Sequence, residues 1–588
     1  MTKGISVFSI TILAILYYLL LKRNQIKNFT LSQTQFFSIK DGKFLLKHAL
    51  IFLFCEIILN YKYLILPYYQ TLFHSDNAVY AEIADFINLY KAENYWLSAN
   101  LYEEYRYNTL YHFPEIYLTA IFVKIFNYPS LLVIQLIVNT FLLYGIFISI
   151  YETYNGLLKN DLKSFLLTLI SIFTVGGIHI THEGYIWWYD FMTYPYLGPI
   201  YSATKLQYPF WVFFHFIIFF TEKRYSGAFF ILTFLVISNF TLFTFGFSLM
   251  FMVACVRFLF RKNNERVNNL VIDLLYLTLL GLWTIYLMST GDNGYVNLNR
   301  INTEYIDFKF AKGYVAGIIL SFFLHDVIYV FLGATIITWL IVKKKSLKGI
   351  LQLIIILSIS LMNSLFVIVL LCTLNISDYF QPFFNAVLLI QWVIPIRILT
   401  FTLDFYPKTL FRICIVVISF MAIPSIKNFI VDKYNLFNTN STIDLSFLQE
   451  LKTTFEKYKH SNKLFIGVWS NYVVSNVASY DAPASYLKTY PNTYRIEIFI
   501  PLYYEEKIKY AFDTSFDFFF NSKPLVNYFR KNNCKFDDIK CILAFMKEQN
   551  IHLILIEQMS NVPLEFQKYL TVIAKDKKSG TILAKVNY

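Results

Sequence analysis

Apolar positions in this chain come in long unbroken runs, not in the alternation of a half-buried strand or the stripe of a surface helix. The runs lie near 5–21, 45–66, 129–150, 162–180, 207–221, 226–241, 242–260, 268–288, 318–342, 348–373, 380–402 and 409–427. Each is close to the ~20 residues that a helix needs to cross a ~30 Å hydrocarbon core. They predict a polytopic α-helical membrane protein, with about twelve transmembrane helices over residues 1–430. The division near 241 is the least marked, because 226–260 is almost continuously apolar. The first run, Val7 to Leu21, looks like a secretory signal but has no small-residue cleavage site, and Lys22 and Arg23 follow it. It reads as an uncleaved anchor.

Residues 431–588 have no such runs and predict a soluble α/β domain. Leu464–Trp469 and Tyr494–Ile500 are strand candidates, with a helical run at 471–479 between them. Lys523–Asn533 and Asp538–Asn550 are amphipathic helix candidates, and the second leads into the apolar strand Ile551–Glu557. Leu570–Ala574 and Thr581–Val586 predict a hairpin around Lys578–Gly580.

Charge orients the helices. Lys22, Arg23, Lys27, Lys40 and Lys43 follow the first run; Lys223 and Arg224 lie in the turn after 221; Arg257, Arg261, Lys262 and Arg266, then Lys343, Lys344, Lys345 and Lys348, then Lys408 and Arg412 occupy later connections. With twelve spans all of these fall on one side, which the positive-inside rule makes cytoplasmic. The opposite side then carries structured loops at 67–128, 181–206 and 289–317 and the C-terminal domain, which is therefore extracytoplasmic. A bacterial inner membrane is the expected location. The first outer loop is acidic, with Asp76, Glu82, Asp85, Glu93, Glu103 and Glu104 against Lys91 and Arg106. Its length exceeds what joining two helices needs, a mark of structure or function.

Composition agrees: 57% of residues are hydrophobic, 15% are charged and the mean hydropathy is +0.49, against about 45–50% apolar and ~25% charged in soluble domains. The net charge of +13 is accounted for by cytoplasmic Lys and Arg, and no recognition motif for nucleic acid is present. Cys55, Cys255, Cys372 and Cys414 fall in apolar runs. Cys534 and Cys541 lie in the C-terminal domain. An oxidising compartment would allow them to pair, but a seven-residue spacing read as two turns of one helix predicts two free thiols. Glu56, His215, Asn239, Asp326 and Arg397 are polar residues inside apolar runs, where ionisable groups are costly. His215 is expected to be neutral and hydrogen-bonded, and Arg397 to reach the nearer membrane surface.

One segment carries most of the chemistry. His74-Ser75-Asp76-Asn77-Ala78-Val79-Tyr80-Ala81-Glu82-Ile83-Ala84 follows the second run, Tyr111-His112-Phe113-Pro114-Glu115-Ile116-Tyr117 comes some thirty residues later, and an amphipathic stretch then ends at Val123-Lys124-Ile125-Phe126-Asn127. This resembles the GT-C superfamily of integral membrane glycosyltransferases. Those proteins have an acid early in the first outer loop, a Tyr/Ala-containing helix after it, and an aromatic-Pro segment leading back to the bilayer. Asp378–Phe384 similarly looks like the aromatic-Pro opening of a late helix of that superfamily. The motif likeness covers residues 70–150, and the layout likeness covers nearly the whole chain. Two departures stand out: Asp76 is followed by Asn77 where many members have a second acid, and Pro114 by Glu115 where many have a second proline.

The resemblance implies a polyprenyl-phosphate-linked sugar donor, an inverting transfer, and a glycan, lipid or protein acceptor on the outer face. Asp76 matches the acid and would serve as general base, taking the proton of the attacking hydroxyl. On the residues alone, it also reads as the cap of a helix starting at Asn77 or Ala78, a role compatible with the first. Glu183 and Asp190 in the second outer loop are candidates for a further acid, and with His74 and His182 they would suit a divalent metal ion. Trp187 and Trp188 are candidates for stacking on sugar, or for an interfacial aromatic belt. Lys205, Arg106 and Arg300 are candidates for the lipid phosphate, and Tyr111 and His112 for substrate contact. Two other classes fit a multi-span chain: a transporter or flippase of lipid or polysaccharide, and a non-catalytic membrane scaffold. Glycine is scarce, 19 in the chain, and no repeat is visible, whereas transporters often have inverted repeats and broken helices. A surface-polysaccharide polymerase or ligase usually carries arginines in its large outer loop, where this chain has carboxylates.

Overall fold

A computed structural model describes residues 42–65, 75–90, 113–173, 206–238, 242–260, 265–289, 331–342, 348–373, 381–405, 409–420, 422–423, 426, 445–458, 464–469, 493–498, 524–535, 538–556, 559–577 and 580–588. The described part of the N-terminal three-quarters is helical: α1 Gly42–Ile65, α2 Ser75–Tyr90, α3 Phe113–Phe126, α4 Ser130–Leu158, α5 Asp161–Phe173, α6 Gln207–Thr221, α7 Tyr225–Ser238, α8 Phe243–Phe260, α9 Glu265–Ser289, α10 Phe331–Val342, α11 Lys348–Thr373, α12 Gln381–Phe405 and α13 Thr409–Phe420. Among the described residues, Ser130–Leu158 and Asn385–Leu403 are long and apolar enough to cross a membrane. The nearly unbroken apolar stretch at 226–260 holds two helices, α7 and α8. The first apolar run, 5–21, lies outside the described residues.

Short turns reverse the chain between helices, and each has a local cause. Asn127 adopts a left-handed conformation at φ 53° after α3, with its N–H on the Val123 carbonyl at 2.9 Å, and Pro129 then opens α4. Lys159 does the same at φ 50° after α4, and the Asn160 side chain accepts from the Lys163 N–H at 2.9 Å to start α5. Asparagine tolerates this conformation better than most residues. Lys223, at φ 61°, sits in the tight turn that folds α7 back on α6.

Apart from α2 and α3, which pack in a separate cluster with the first half of α4, the helices share one apolar core in which aromatic rings interlock. Phe210 lies 4.9 Å from the fully buried Trp392, and Phe213 lies 5.9 Å from Phe245, between ring centroids. Pro395, inside α12, removes one helix hydrogen bond three residues past Trp392. Among the described residues, several helices leave an apolar face exposed. Leu46, Leu50, Leu53 and Ile57 on α1 are 45–61% exposed and recur at helical spacing. Leu351, Ile354, Ile355, Ile359, Met362 and Phe366 repeat the pattern on α11.

The C-terminal region contains α14 Leu445–Tyr458, β1 Leu464–Trp469, β2 Thr493–Glu497, α15 Pro524–Lys531, α16 Ile539–Glu548, β3 Leu553–Ile556, α17 Leu564–Gln567, β4 Leu570–Lys575 and β5 Ile582–Val586. The strands form one sheet in the order β2-β1-β3-β5-β4. β1 runs parallel to both β2 and β3, whereas β5 is antiparallel to β3 and β4. Both faces are covered, which is why β3 reads as a continuous apolar run. Ile466, Val468, Leu553 and Leu555 pack with Phe447, Leu451 and Phe455 of α14. Trp469, Ile554 and Ile556 point the other way, to Leu525, Phe529, Phe545 and Met546 of α15 and α16. A Cβ at Gly467 would stand 2.9 Å from Ile498 and 3.2 Å from the Met546 methyl, so glycine lets α16 close onto the sheet.

Cys534 and Cys541 form a disulfide, with Cα atoms 6.3 Å apart. This corrects the expectation of two free thiols. The spacing is not two turns of one helix: Asn533, at φ 52°, turns the chain after α15, and Asp538 caps a new helix by accepting from the Lys540 N–H at 2.9 Å.

Candidate functional site

Asp76 is the second residue of α2, which starts at Ser75, earlier than the start at Asn77 or Ala78 that would make Asp76 its cap. The first turn of a helix is where the macrodipole favours negative charge. Of the remaining sequence-derived candidates, His74, Arg106, Tyr111, His112, His182, Glu183, Trp187, Trp188, Asp190, Lys205 and Arg300 lie outside the described residues. Among the described residues no group of three His, Cys, Asp or Glu side chains gathers as a metal site. Asp326 and Asn239 also lie outside the described residues.

What surrounds the start of α2 is a buried polar chain that spans three helices. Asn77, 2% exposed, donates from Nδ2 to Gln135 Oε1 of α4. Gln135 Nε2 donates to Asn60 Oδ1 of α1 at 3.1 Å. Asn60, fully buried, donates from Nδ2 to Thr140 Oγ1 at 3.1 Å and to Glu56 Oε2 at 3.1 Å, one helical turn earlier. Thr140 Oγ1 donates in turn to the same Glu56 carboxylate. A buried amide left without a partner costs about 1–3 kcal/mol, so the chain of bonds both satisfies these groups and ties α1, α2 and α4 together at one level.

Backbone geometry makes this convergence possible. Residues Val133–Val138 of α4 form a π-helical segment. On a regular α-helix, positions five apart lie about 140° from each other around the axis. The wider π turn brings Gln135 and Thr140 to the same side, and both reach Asn60. Such segments are uncommon and frequent at functional sites.

The hairpin of α2 and α3 is held by two more polar contacts. Ser130 Oγ, at the start of α4, donates to Asp85 Oδ2 at 2.8 Å, and Asn88 Nδ2 donates to the Ala120 carbonyl at 3.1 Å. Tyr80, Ala81, Ile83 and Ala84 bury one face of α2 against Ile116 and Ala120 of α3 and Leu131 and Ile134 of α4. Glu115, beside Pro114, is buried at 1% exposure in the same hairpin.

Of the other polar residues singled out in the apolar runs, His215 and Arg397 lie among the described residues. His215 Nδ1 lies 2.9 Å from the Trp211 carbonyl one turn back and donates to it. Its Nε2 is 3.5 Å from Ser149 Oγ, which also accepts from Trp211 Nε1 at 3.0 Å. Arg397 is half-buried in α12. Arg257, read from sequence as a loop cation, is instead buried in the last turn of α8 and bonded to Asp273 of α9.

Sequence reasoning singled out Asp76 and Glu56, and Asn77 only as a departure from a second acid, but not Gln135, Asn60 or Thr140. Neutral amides and hydroxyls in apolar runs carry no charge signal, and the π segment that unites them has no composition of its own. No protein-family model matches the chain, and no curated protein matches its sequence.

Proposed function

We propose that the chain is an integral membrane glycosyltransferase that moves a sugar from a polyprenyl-phosphate carrier to an acceptor hydroxyl on the outer face of the membrane. The observation that carries this reading is the place of Asp76: a carboxylate in the first turn of a helix whose start is tied by buried hydrogen bonds to two long neighbouring helices. The exposed apolar faces of α1 and α11 support a lipid surround, since soluble proteins rarely leave large apolar patches open. The Cys534–Cys541 disulfide supports an extracytoplasmic C-terminal domain, because such bonds persist in oxidising compartments.

In this reading Asp76 accepts the proton of the acceptor hydroxyl as its oxygen attacks the anomeric carbon. The bond from that carbon to the phosphate oxygen breaks, and its electron pair leaves with the polyprenyl phosphate. Attack opposite the leaving group inverts the anomeric centre. The departing charge calls for cations or hydrogen-bond donors, the role in which Lys205, Arg106 and Arg300 are proposed, with Glu183 and Asp190 as further acids. His74 and His182 are proposed as ligands should a divalent ion assist.

The test is transfer of radiolabel from polyprenyl-phosphate glucose, mannose and galactose in membranes that contain the protein. Asp76→Ala abolishes transfer at unchanged protein level; a fully active variant overturns the assignment. A reporter fused after Tyr588 reports the outer compartment; a cytoplasmic signal overturns the topology. A second reading, a transporter, is favoured by the buried polar chain from Glu56 to Asn77, since polar groups inside a helix bundle also line transport paths. It requires substrate movement across sealed vesicles without formation of a glycoside.

A further inference from the structure

We infer that Gln135 is a positioning residue for Asp76, acting through Asn77; the inference rests on the glycosyltransferase reading above. Asp76 and Asn77 are consecutive in the first turn of α2, so fixing one fixes the backbone of the other. The first turn of a helix has no intrahelical partners for its N–H groups and is the part of α2 most ready to fray. Here a side-chain bond from Asn77 Nδ2 to Gln135 Oε1 ties it to α4, made where both groups are buried.

Gln135 is itself held. Its other end donates to Asn60 Oδ1, and Asn60 is locked by Thr140 and Glu56. The π segment Val133–Val138 gives Gln135 this double reach. A regular helix would turn it away from Thr140 and from their common partner. The π turn thus stands where Gln135 links the start of α2 to α1. A general base must sit within hydrogen-bond reach of its proton, and an error of about 1 Å in a reacting group can lower the rate by about 100-fold. The link from α1 through Gln135 therefore supplies the precision that a freely fraying helix start lacks.

The experiment uses the full-length protein in detergent micelles. Gln135→Ala is compared with Gln135→Glu, which keeps an oxygen acceptor for Asn77, and with Gln135→Met, which keeps the shape should the alanine variant fail to accumulate. Two quantities are read: amide hydrogen exchange over residues 79–84, and transfer from the polyprenyl-phosphate hexose that the wild type uses. The expected result is faster exchange and a kcat lowered roughly 10- to 100-fold at unchanged donor KM in Gln135→Ala and Gln135→Met; Gln135→Glu, which keeps the acceptor for Asn77 but loses the donor to Asn60 Oδ1, recovers only part of either. Asn77→Ala lowers kcat equally, and the Asn77→Ala/Gln135→Ala double variant is no worse than either single. Unchanged exchange in Gln135→Ala overturns the link, whatever the activity. Faster exchange with unchanged kcat overturns the positioning role alone. Full transfer by Asp76→Ala overturns the base assignment, and the catalytic part of this inference with it, while the exchange measurement still reads the Asn77–Gln135 bond by itself.

Discussion

Arg257 and Asp273 join α8 to α9 through a buried ion pair, with only 4% and 1% of their side chains exposed. A charge of either sign is costly in an apolar bundle, and the two are tolerated because they meet. Sequence placed Arg257 among the loop cations. Its partner, sixteen residues on, draws it into the helix interface instead.

Removing one partner therefore does more harm than removing both. Asp273→Leu or Arg257→Leu strands a buried charge and lowers stability by about 3–5 kcal/mol. The Arg257→Leu/Asp273→Leu double variant recovers most of that loss. Thermal unfolding of the purified protein in detergent, compared across the three variants, checks this; an additive double variant contradicts it.

Gly145 is where α4 makes room for the Trp211 indole of α6. A Cβ there would stand 3.0 Å from the ring carbons Cε2 and Cζ2. Gly145→Val overpacks this contact and costs roughly 1–3 kcal/mol, displacing Trp211 Nε1 from Ser149. In a Trp211→Ala background the same substitution costs clearly less. The comparison of unfolding midpoints in the two backgrounds isolates the clash from any general effect of valine.

The disulfide closes a short loop between α15 and α16. Chain-entropy arguments assign roughly 2–3 kcal/mol to a loop of this size. Under non-reducing conditions alkylation followed by mass spectrometry leaves Cys534 and Cys541 unlabelled, and both label after reduction. Cys534→Ser/Cys541→Ser protein loses protease resistance in the C-terminal domain and keeps it in the helical part.

Tyr588 donates its hydroxyl to the Ile551 carbonyl. The side chain is partly exposed, and desolvation of its buried part pushes the phenol above its ordinary value. The folded state thus holds the proton more tightly than the unfolded state. Stability from this group is complete below about pH 10, the ordinary tyrosine value, and is lost as pH rises beyond it. Tyr588→Phe flattens the fall in C-terminal-domain stability above that pH, followed by limited proteolysis across an alkaline series; an unchanged slope contradicts it.

Several elements were legible because they depend on local pattern. The α6 helix, α11 and β1 coincide with the apolar runs at 207–221, 348–373 and 464–469, and the terminal hairpin forms around Gly580, whose φ of 77° suits glycine. Asp538 at the start of α16 and Asn160 at the start of α5 are caps of the kind that sequence displays. The expectation that His215 is hydrogen-bonded matches its bond to the Trp211 carbonyl. The disulfide was misjudged because one residue, Asn533, breaks the helix that the spacing argument assumed.

The sequence by itself determined that apolar helices are followed by an α/β region, and that an acid stands just past α1, because these follow from hydrophobic period and from residue chemistry at one position. Only the tertiary structure decided that Gln135 and Thr140 meet on Asn60, that Asn77 closes the chain of bonds to α2, and that Arg257 is paired with Asp273. Those relations hinge on how far each helix is rotated about its axis. That rotation is set by the packing of whole faces and by one π turn, neither of which any single residue reveals.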